Sequence, residues 1–305
     1  MTTNQPTPMS EHVRQRALDS LRLVGSLPEQ NYEDVVQVAA SLCGTPMALI
    51  SLIDRDHQWF KAQVGLNTAS TARNMAVCDH AIRKPQELME IGDLNLDERF
   101  SDNPVLQSMG ARFYAGMPLV TSEGAAIGTV CVLDNEPRAL TTIQRKGLEA
   151  LARLTMHLFE TRSKEHSQEV AALLEQAVAP PALVQPTAPT PYSVVILELQ
   201  DLAGLESRIG GRVLERELGL LDQQVEQCLQ ADRGDSANRV SGSGEFVVVV
   251  KGDSLQPTLD LFRQVAAAAQ SKLGHALLIG SASTDGDENA GEVYLRADED
   301  LSRQK

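Results

Sequence analysis

The sequence has no run of the ~18 apolar residues that a membrane-spanning helix needs. It does not open on a charged segment followed by an apolar core. Met1 to Pro8 is polar, with Thr and Pro, so no secretory leader is expected. Basic residues are in deficit: 27 Lys and Arg stand against 41 Asp and Glu, a net charge of −14 with histidine neutral. That imbalance argues against non-specific binding to nucleic acid or to an anionic membrane. Cysteine is scarce. Cys43, Cys78, Cys131 and Cys228 lack the Cys-x-x-Cys spacing of a metal site, and no metal is expected. Each suits a reducing cytosol as a small buried apolar residue, so the expected place is the cytoplasm. Aromatic residues are only 4% of the chain, with one tryptophan, Trp59, yet 42% hydrophobic residues suffice for ordinary cores. A length of 305 residues suggests two domains or one large one.

The first half reads as helices around an antiparallel sheet. Met1 to Met9 is expected to be disordered. Ser10 caps a helix carrying Val13, Ala17, Leu18, Leu21 and Val24, spaced by three and four. Ser26-Leu-Pro-Glu29 has the pattern of a capping box with an early proline, opening a helix with Tyr32, Val35, Val36, Ala39, Ala40 and Cys43 near one face. Gly44 ends it. Strands are expected at Met47 to Asp54 and Gln58 to Gly65, then loop and short helix from Leu66 to Lys84, and an edge strand at Leu88 to Asp93. Arg112 to Asp134 is a hairpin whose second strand is almost wholly apolar, as a strand buried on both faces should be. Thr141-Thr-Ile-Gln144 caps a long helix with a stripe of Leu148, Leu151, Leu154, Leu158 and Phe159. The stripe can pack on its own sheet or pair two copies; it fades into charge from Glu160 to Glu169.

The segments "QWFKAQVGL", "VCDHAI", "RFYAGMPL" and "GTVCVLD" occur in this order. Together they resemble the GAF domain, a small-molecule-sensing module, of the type joined to bacterial histidine kinases and diguanylate cyclases. The likeness covers roughly Gln30 to Arg162. It implies a pocket between the sheet and the loops crossing it, with Trp59, Phe60, Cys78, Asp79, His80, Phe113 and Tyr114 as candidates. Trp59 beside Phe60 can stack on a flat ligand or simply fill the core. Cys78 and His80 can be a metal pair, a redox thiol with its neighbour, or packing; two ligands are too few for a site. One GAF family, free methionine-R-sulfoxide reductase, uses paired cysteines. Cys78 and Cys131 would have to meet, and nothing in their spacing says that they do.

The stretch from Ala179 to Pro191 holds prolines 180, 181, 186, 189 and 191 and is expected to be an extended inter-domain linker. The expected division is a tail and helix at 1–25, the GAF domain at 26–162, a helix end and linker at 163–191, and a second domain at 192–305. That second domain reads as β-α-α-β-β-α-β-α, an α/β (α+β) layer fold, with a hairpin tipped by Gly242-Ser-Gly-Glu-Phe246. It resembles the GGDEF domain, which in active form condenses two GTP molecules into cyclic di-GMP. The resemblance implies metal carboxylates at the end of the first strand and at the third place of the hairpin motif. Here Glu198 and Gly244 occupy those places, and Glu245 follows. Phosphoryl transfer needs divalent metal held by carboxylates against the triphosphate, and Gly244 has no side chain. The family's guanine-contacting Asn and Asp fall on Glu206 and Ser207. Its inhibitory Arg-x-x-Asp is replaced by Arg233-Gly-Asp235, one place too close. Glu198 and Glu245 then read as vestigial, solvated carboxylates at strand ends. The expectation is a cytoplasmic signalling protein: a GAF sensor and a catalytically inactive GGDEF-like domain that binds a partner protein or nucleotide, as a homodimer. The alternative is a weakly active diguanylate cyclase, which alone would require Mg2+.

Overall fold

The computed structural model of this chain describes residues 9–178, 190–252 and 254–305. The expected disordered start except Met9, and all of the proline-rich linker except residues 190 and 191, lie outside the described residues. The chain divides into two units: Met1–Val24 with Pro28–Ser163, and Gly25–Leu27 with Lys164–Lys305.

In the first unit, α1 (Glu11–Ser20) starts where Ser10 accepts a hydrogen bond from the Val13 amide. The second helix, α2 (Gln30–Cys43), stops at Gly44, which takes the left-handed conformation at φ 63° that a residue with Cβ avoids. The Ser26 capping box does not form. Glu29 is the N-cap, without a side-chain cap bond, because Gly25–Leu27 is taken up by the second unit. There the Gly25 carbonyl accepts from the Ala203 amide and Leu27 packs on the second unit's core.

Strands β1 (Met47–Ile53), β2 (His57–Val64), β3 (Ser70–Ala72), β4 (Met89–Ile91), β5 (Phe113–Val120) and β6 (Ala126–Asp134) form one antiparallel sheet in the order β3-β2-β1-β6-β5-β4. The short β3 had no counterpart in the sequence reading. It exists because β2 offers it an open edge. Every residue of β1 and of β6 is buried, as expected of central strands covered on both faces. One face carries α1, α2 and the start of α5 (Thr142–Val178), with Tyr32, Val36, Phe113, Val130, Val132, Leu148 and Phe159 at its centre. The other face is covered by the short α3 (Val77–Ala81), α4 (Pro104–Met109) and the intervening loops, over Leu49, Ile53, Tyr114, Cys131 and Leu133.

The helix α5 opens with a true capping box. The Thr141 hydroxyl accepts from the Gln144 amide at 3.2 Å, and Gln144 Oε1 accepts from the Thr141 amide at 2.9 Å. Thr141→Ala should cost about 1 kcal/mol, read as a lower urea midpoint in the emission of Trp59, the sole tryptophan. The leucine stripe packs on its own sheet, except Leu154, which stays exposed. Beyond the expected fade into charge the helix continues to Val178, because Val170 and Leu174 bury themselves in the second unit.

The second unit continues with β7 (Tyr192–Leu199), α6 (Leu202–Ile209), α7 (Gly211–Gln227), β8 (Ser236–Arg239), β9 (Glu245–Lys251), α8 (Leu255–Leu273), β10 (Leu277–Thr284) and α9 (Ala290–Ser302). The strand order is β10-β7-β9-β8, antiparallel throughout, a split β-α-β arrangement. Leu197, Leu214, Phe246 and Phe262 fill one face, and Ile196, Val249, Val293 and Tyr294 the other.

Candidate functional site

Alternation along the strands decides which candidate residues can meet. Trp59 and Phe113 project to the face of α2 and α5, while Phe60 and Tyr114 project to the face of α3 and α4. Trp59 and Phe60 therefore cannot stack together on one ligand. Asp79 lies on the outer side of α3, bound by Arg73 at 2.7 Å and Arg83 at 2.6 Å. His80 packs edge-on against Phe100 at 4.9 Å. Neither lines the interior.

What remains is Phe60, Cys78 and Tyr114, and they border a small cavity between the sheet and α3 and α4. Leu49, Gln58, Thr71, Met75, Val105, Met109, Cys131 and Leu133 border it too. Its volume is about 30 Å³, room for about one water-sized molecule.

The cavity wall holds two thiols. Cys78 Sγ lies 3.8 Å from Cys131 Sγ, although the residues are 53 positions apart. Tyr114 Oη donates to Cys78 Sγ at 3.3 Å, and Gln58 Nε2 donates at 3.4 Å. The hydroxyls of Ser51 and Thr129, paired across β1 and β6, are wholly buried without a hydrogen-bond partner of normal geometry. Tyr114 can reach the sulfurs because its neighbour two along is Gly116. A Cβ there would fall 2.2 Å from Tyr114 Oη and 3.1 Å from Cys131 Cβ. Gly116 also pairs directly with Cys131 across the strands.

The electrostatics separates the two thiols. Burial disfavours a charge at Cys78, but hydrogen bonds from Cys131, Thr129, Tyr114 and Ser51 outweigh it and lower its pKa. At Cys131 the hydrogen bond with Cys78 and burial both push the pKa up. Cys78 is thus the first of the pair to become a thiolate. Cys43, away from the cluster, is pushed up by burial to about 11.

Sequence reasoning missed Gln58, Ser51, Thr129 and Gly116, and it named Cys131 only as the partner that a reductase-like pair would need. Only the register of β5 on β6 places Gly116 opposite Cys131, and no local pattern carries that.

In the second unit, Glu198 and Glu245 stand opposite each other on β7 and β9. Neither is the solvated strand-end carboxylate expected. Glu245 is 2% exposed. Its Oε1 accepts from Tyr294 Oη at 2.6 Å, and Oε2 lies 3.2 Å from His166 Nε2. Glu198 is held by Lys305 at 2.8 Å and by Gln200 at 2.8 Å. Burial of a carboxylate demands such partners, and α9 and α5 deliver them. A Cβ on Gly244 would sit 3.0 Å from the Leu199 carbonyl oxygen and 3.2 Å from Leu202 Cδ2.

Arg239 is paired with Glu215 at 3.2 Å and Asp222 at 3.4 Å. These residues, with Glu226 and Gly242, border a cleft of about 540 Å³ beside the hairpin tip. Arg233 pairs with the buried Asp235 at 3.2 Å, and Asp235 accepts the amides of Gln230 and Lys251, so that pair staples the hairpin. Among the described residues no cluster of three or more His, Cys, Asp or Glu is placed to hold a metal ion. Among them, too, no helix is long and apolar enough to cross a membrane.

Comparison with known proteins locates the first unit. A cyclic di-GMP phosphodiesterase of Pseudomonas aeruginosa is 40% identical over 171 residues, which are 55% of this chain and 29% of that protein. The chain thus spans under a third of the length of this curated relative. Similar solved structures include the GAF domain of an Acinetobacter phosphoenolpyruvate-protein phosphotransferase, at 16% identity, 50% of this chain, 96% of that chain and a TM-score of 0.37. Another is a type II free methionine-R-sulfoxide reductase from Thermoplasma acidophilum, at 14% identity, 43% of this chain, 92% of that chain and a TM-score of 0.37. Likeness of this degree says nothing of ligand or reaction. The GAF family model matches residues 28–157, the same stretch that carries the sheet, the cavity and the thiol pair, and this part of the chain is a GAF domain.

Proposed function

We propose that this chain is a signalling protein in cyclic di-GMP physiology: a GAF sensor module joined to a GGDEF-like unit that no longer makes cyclic di-GMP and acts by binding. The link to cyclic di-GMP rests on the named relative. The observation that carries the inactive reading is the Glu245 carboxylate, buried and accepting a hydrogen bond from the Tyr294 hydroxyl. A carboxylate buried in this way and already hydrogen-bonded is not free to hold a cation against a triphosphate. Its neighbours agree. Gly244 contributes no ligand, Glu198 is tied to Lys305, and Arg239 already carries two carboxylates. The cleft at the tip has Glu215, Asp222 and Glu226 against one arginine, a net negative lining that repels phosphates. These residues do not fit the Mg2+ that cyclase chemistry needs.

The partner is another signalling protein or a second copy of this chain. Leu154, left exposed on α5, is the stripe residue available for pairing. Incubation of the purified chain with GTP and Mg2+ should give no cyclic di-GMP. Gly244→Asp should not create activity either, because its Cβ meets the Leu199 backbone; it should lower stability instead. Cyclic di-GMP formed by the unaltered chain would overturn the inactive reading and return Glu198 and Glu245 to catalytic roles. Calorimetric titration with GTP and cyclic di-GMP then separates a nucleotide receptor from a protein-binding unit.

A further inference from the structure

We propose that Cys78 and Cys131 form a dithiol modification site in the GAF cavity, oxidised to a disulfide by hydrogen peroxide. The inference goes beyond the function proposed above and does not depend on it, since every group involved lies in the first unit. Three observations meet here. Two thiols from distant segments stand 3.8 Å apart. Tyr114 and Gln58 both donate to Cys78 Sγ. And the adjoining space of about 30 Å³ admits a molecule little larger than water. Hydrogen peroxide meets that limit, whereas an amino-acid sulfoxide is several times too large. The cavity's border includes the half-buried Thr71, Met75, Val105 and Met109. These side chains, two of them flexible thioethers, are the ones that must part to admit the oxidant.

The chemistry balances in two steps. The Cys78 thiolate attacks one peroxide oxygen, the O–O bond breaks, and the departing hydroxide takes up a proton as water, leaving Cys78 as the sulfenic acid. Cys131 sulfur then attacks Cys78 sulfur, the S–O bond breaks, and the hydroxide leaves with the Cys131 proton as a second water. The pair loses two electrons and the peroxide gains them. The sulfurs must approach by about 1.8 Å to reach disulfide length, a movement that the five-residue α3 can make between its flanking loops. An external dithiol restores both thiols by exchange.

The other cysteines make the test internal. Cys228 is half-exposed and Cys43 is buried away from the cluster. If exposure governed oxidation, Cys228 would react first. The reduced full chain is treated with a small molar excess of hydrogen peroxide, digested under non-reducing conditions and mapped by mass spectrometry. The expected result is one cross-linked peptide joining Cys78 to Cys131, loss of two of the four thiols, and recovery of both with dithiothreitol. Oxidation of Cys228 while Cys78 and Cys131 remain thiols would overturn the proposal. In Cys131→Ser, dimedone should label Cys78 after peroxide; labelling confined to Cys228 would also overturn it. The unaltered chain supplies the decisive map even if that variant folds poorly.

Discussion

Gly128→Ala is expected to destabilise the first unit by about 3 kcal/mol or more, a large share of a typical domain's stability. Gly128 sits in the middle of β6, paired with Leu52 on one side and Leu119 on the other. An added Cβ would fall 1.9 Å from the Ser51 carbonyl oxygen. It cannot be relieved by a side-chain rotation, because the obstacle is backbone. Ser51 lies where β1 shifts register against β2, so the two central strands come together here without room for a methyl group. Glycine inside a strand often marks such an approach. Urea unfolding followed by Trp59 emission should show a midpoint shifted far down, or no folded baseline. A midpoint within experimental error of the unaltered chain would show that β1 and β6 can separate locally at no cost.

Glu245→Ala is expected to cost the second unit about 3 kcal/mol without touching any product formation. The carboxylate is buried, and its removal breaks the hydrogen bond from the Tyr294 hydroxyl within an apolar layer that includes Val247, Val293 and Leu301. Hydrogen exchange separates this effect from one on the first unit. Amides of β7 and β9 should lose protection, while the Trp59 transition moves less. If the variant exchanged like the unaltered chain, the carboxylate would not be holding α9 and α5 to the sheet. The same substitution thus discriminates a structural glutamate from a catalytic one: a cyclase residue would abolish activity and leave exchange unchanged.

Much of this protein could be read from the chain alone. The four ordered motifs placed the GAF domain, the apolar continuity of Ala126 to Asp134 marked a strand buried on both faces, and Thr141 with Gln144 announced the start of the long helix. Those are local signals, since periodicity, caps and turn residues act within a few positions. The absence of a side chain at Gly244, beside Glu245, was equally visible. The errors fell where one segment answers to another far along the chain. Ser26 looked like a cap, but Gly25–Leu27 packs with the second unit. Over residues 160–169 the apolar stripe fades into charge, and only tertiary structure shows that Val170 and Leu174 then give the helix a core to enter. Glu198 and Glu245 looked solvated until α9, the chain end and His166 closed over them.

The candidate site divides in the same way. Cys78 and Tyr114 were legible as pocket residues, since a motif carries them. Trp59 and Phe113 were equally conspicuous in the sequence and belong to the opposite face. Cys131 entered only as the second cysteine of the reductase reading, because in β6 it is one more small residue in an apolar run. Its meeting with Cys78 is set by strand register, which brings Gly116 opposite it, and by the missing Cβ that lets the Tyr114 hydroxyl lie beside both sulfurs. Composition and local pattern determined which elements form and what family the first part joins. Tertiary structure alone decided which side chains share a cavity, because a strand's facing reverses with each residue and its partners are chosen by pairing, not by neighbourhood in the chain.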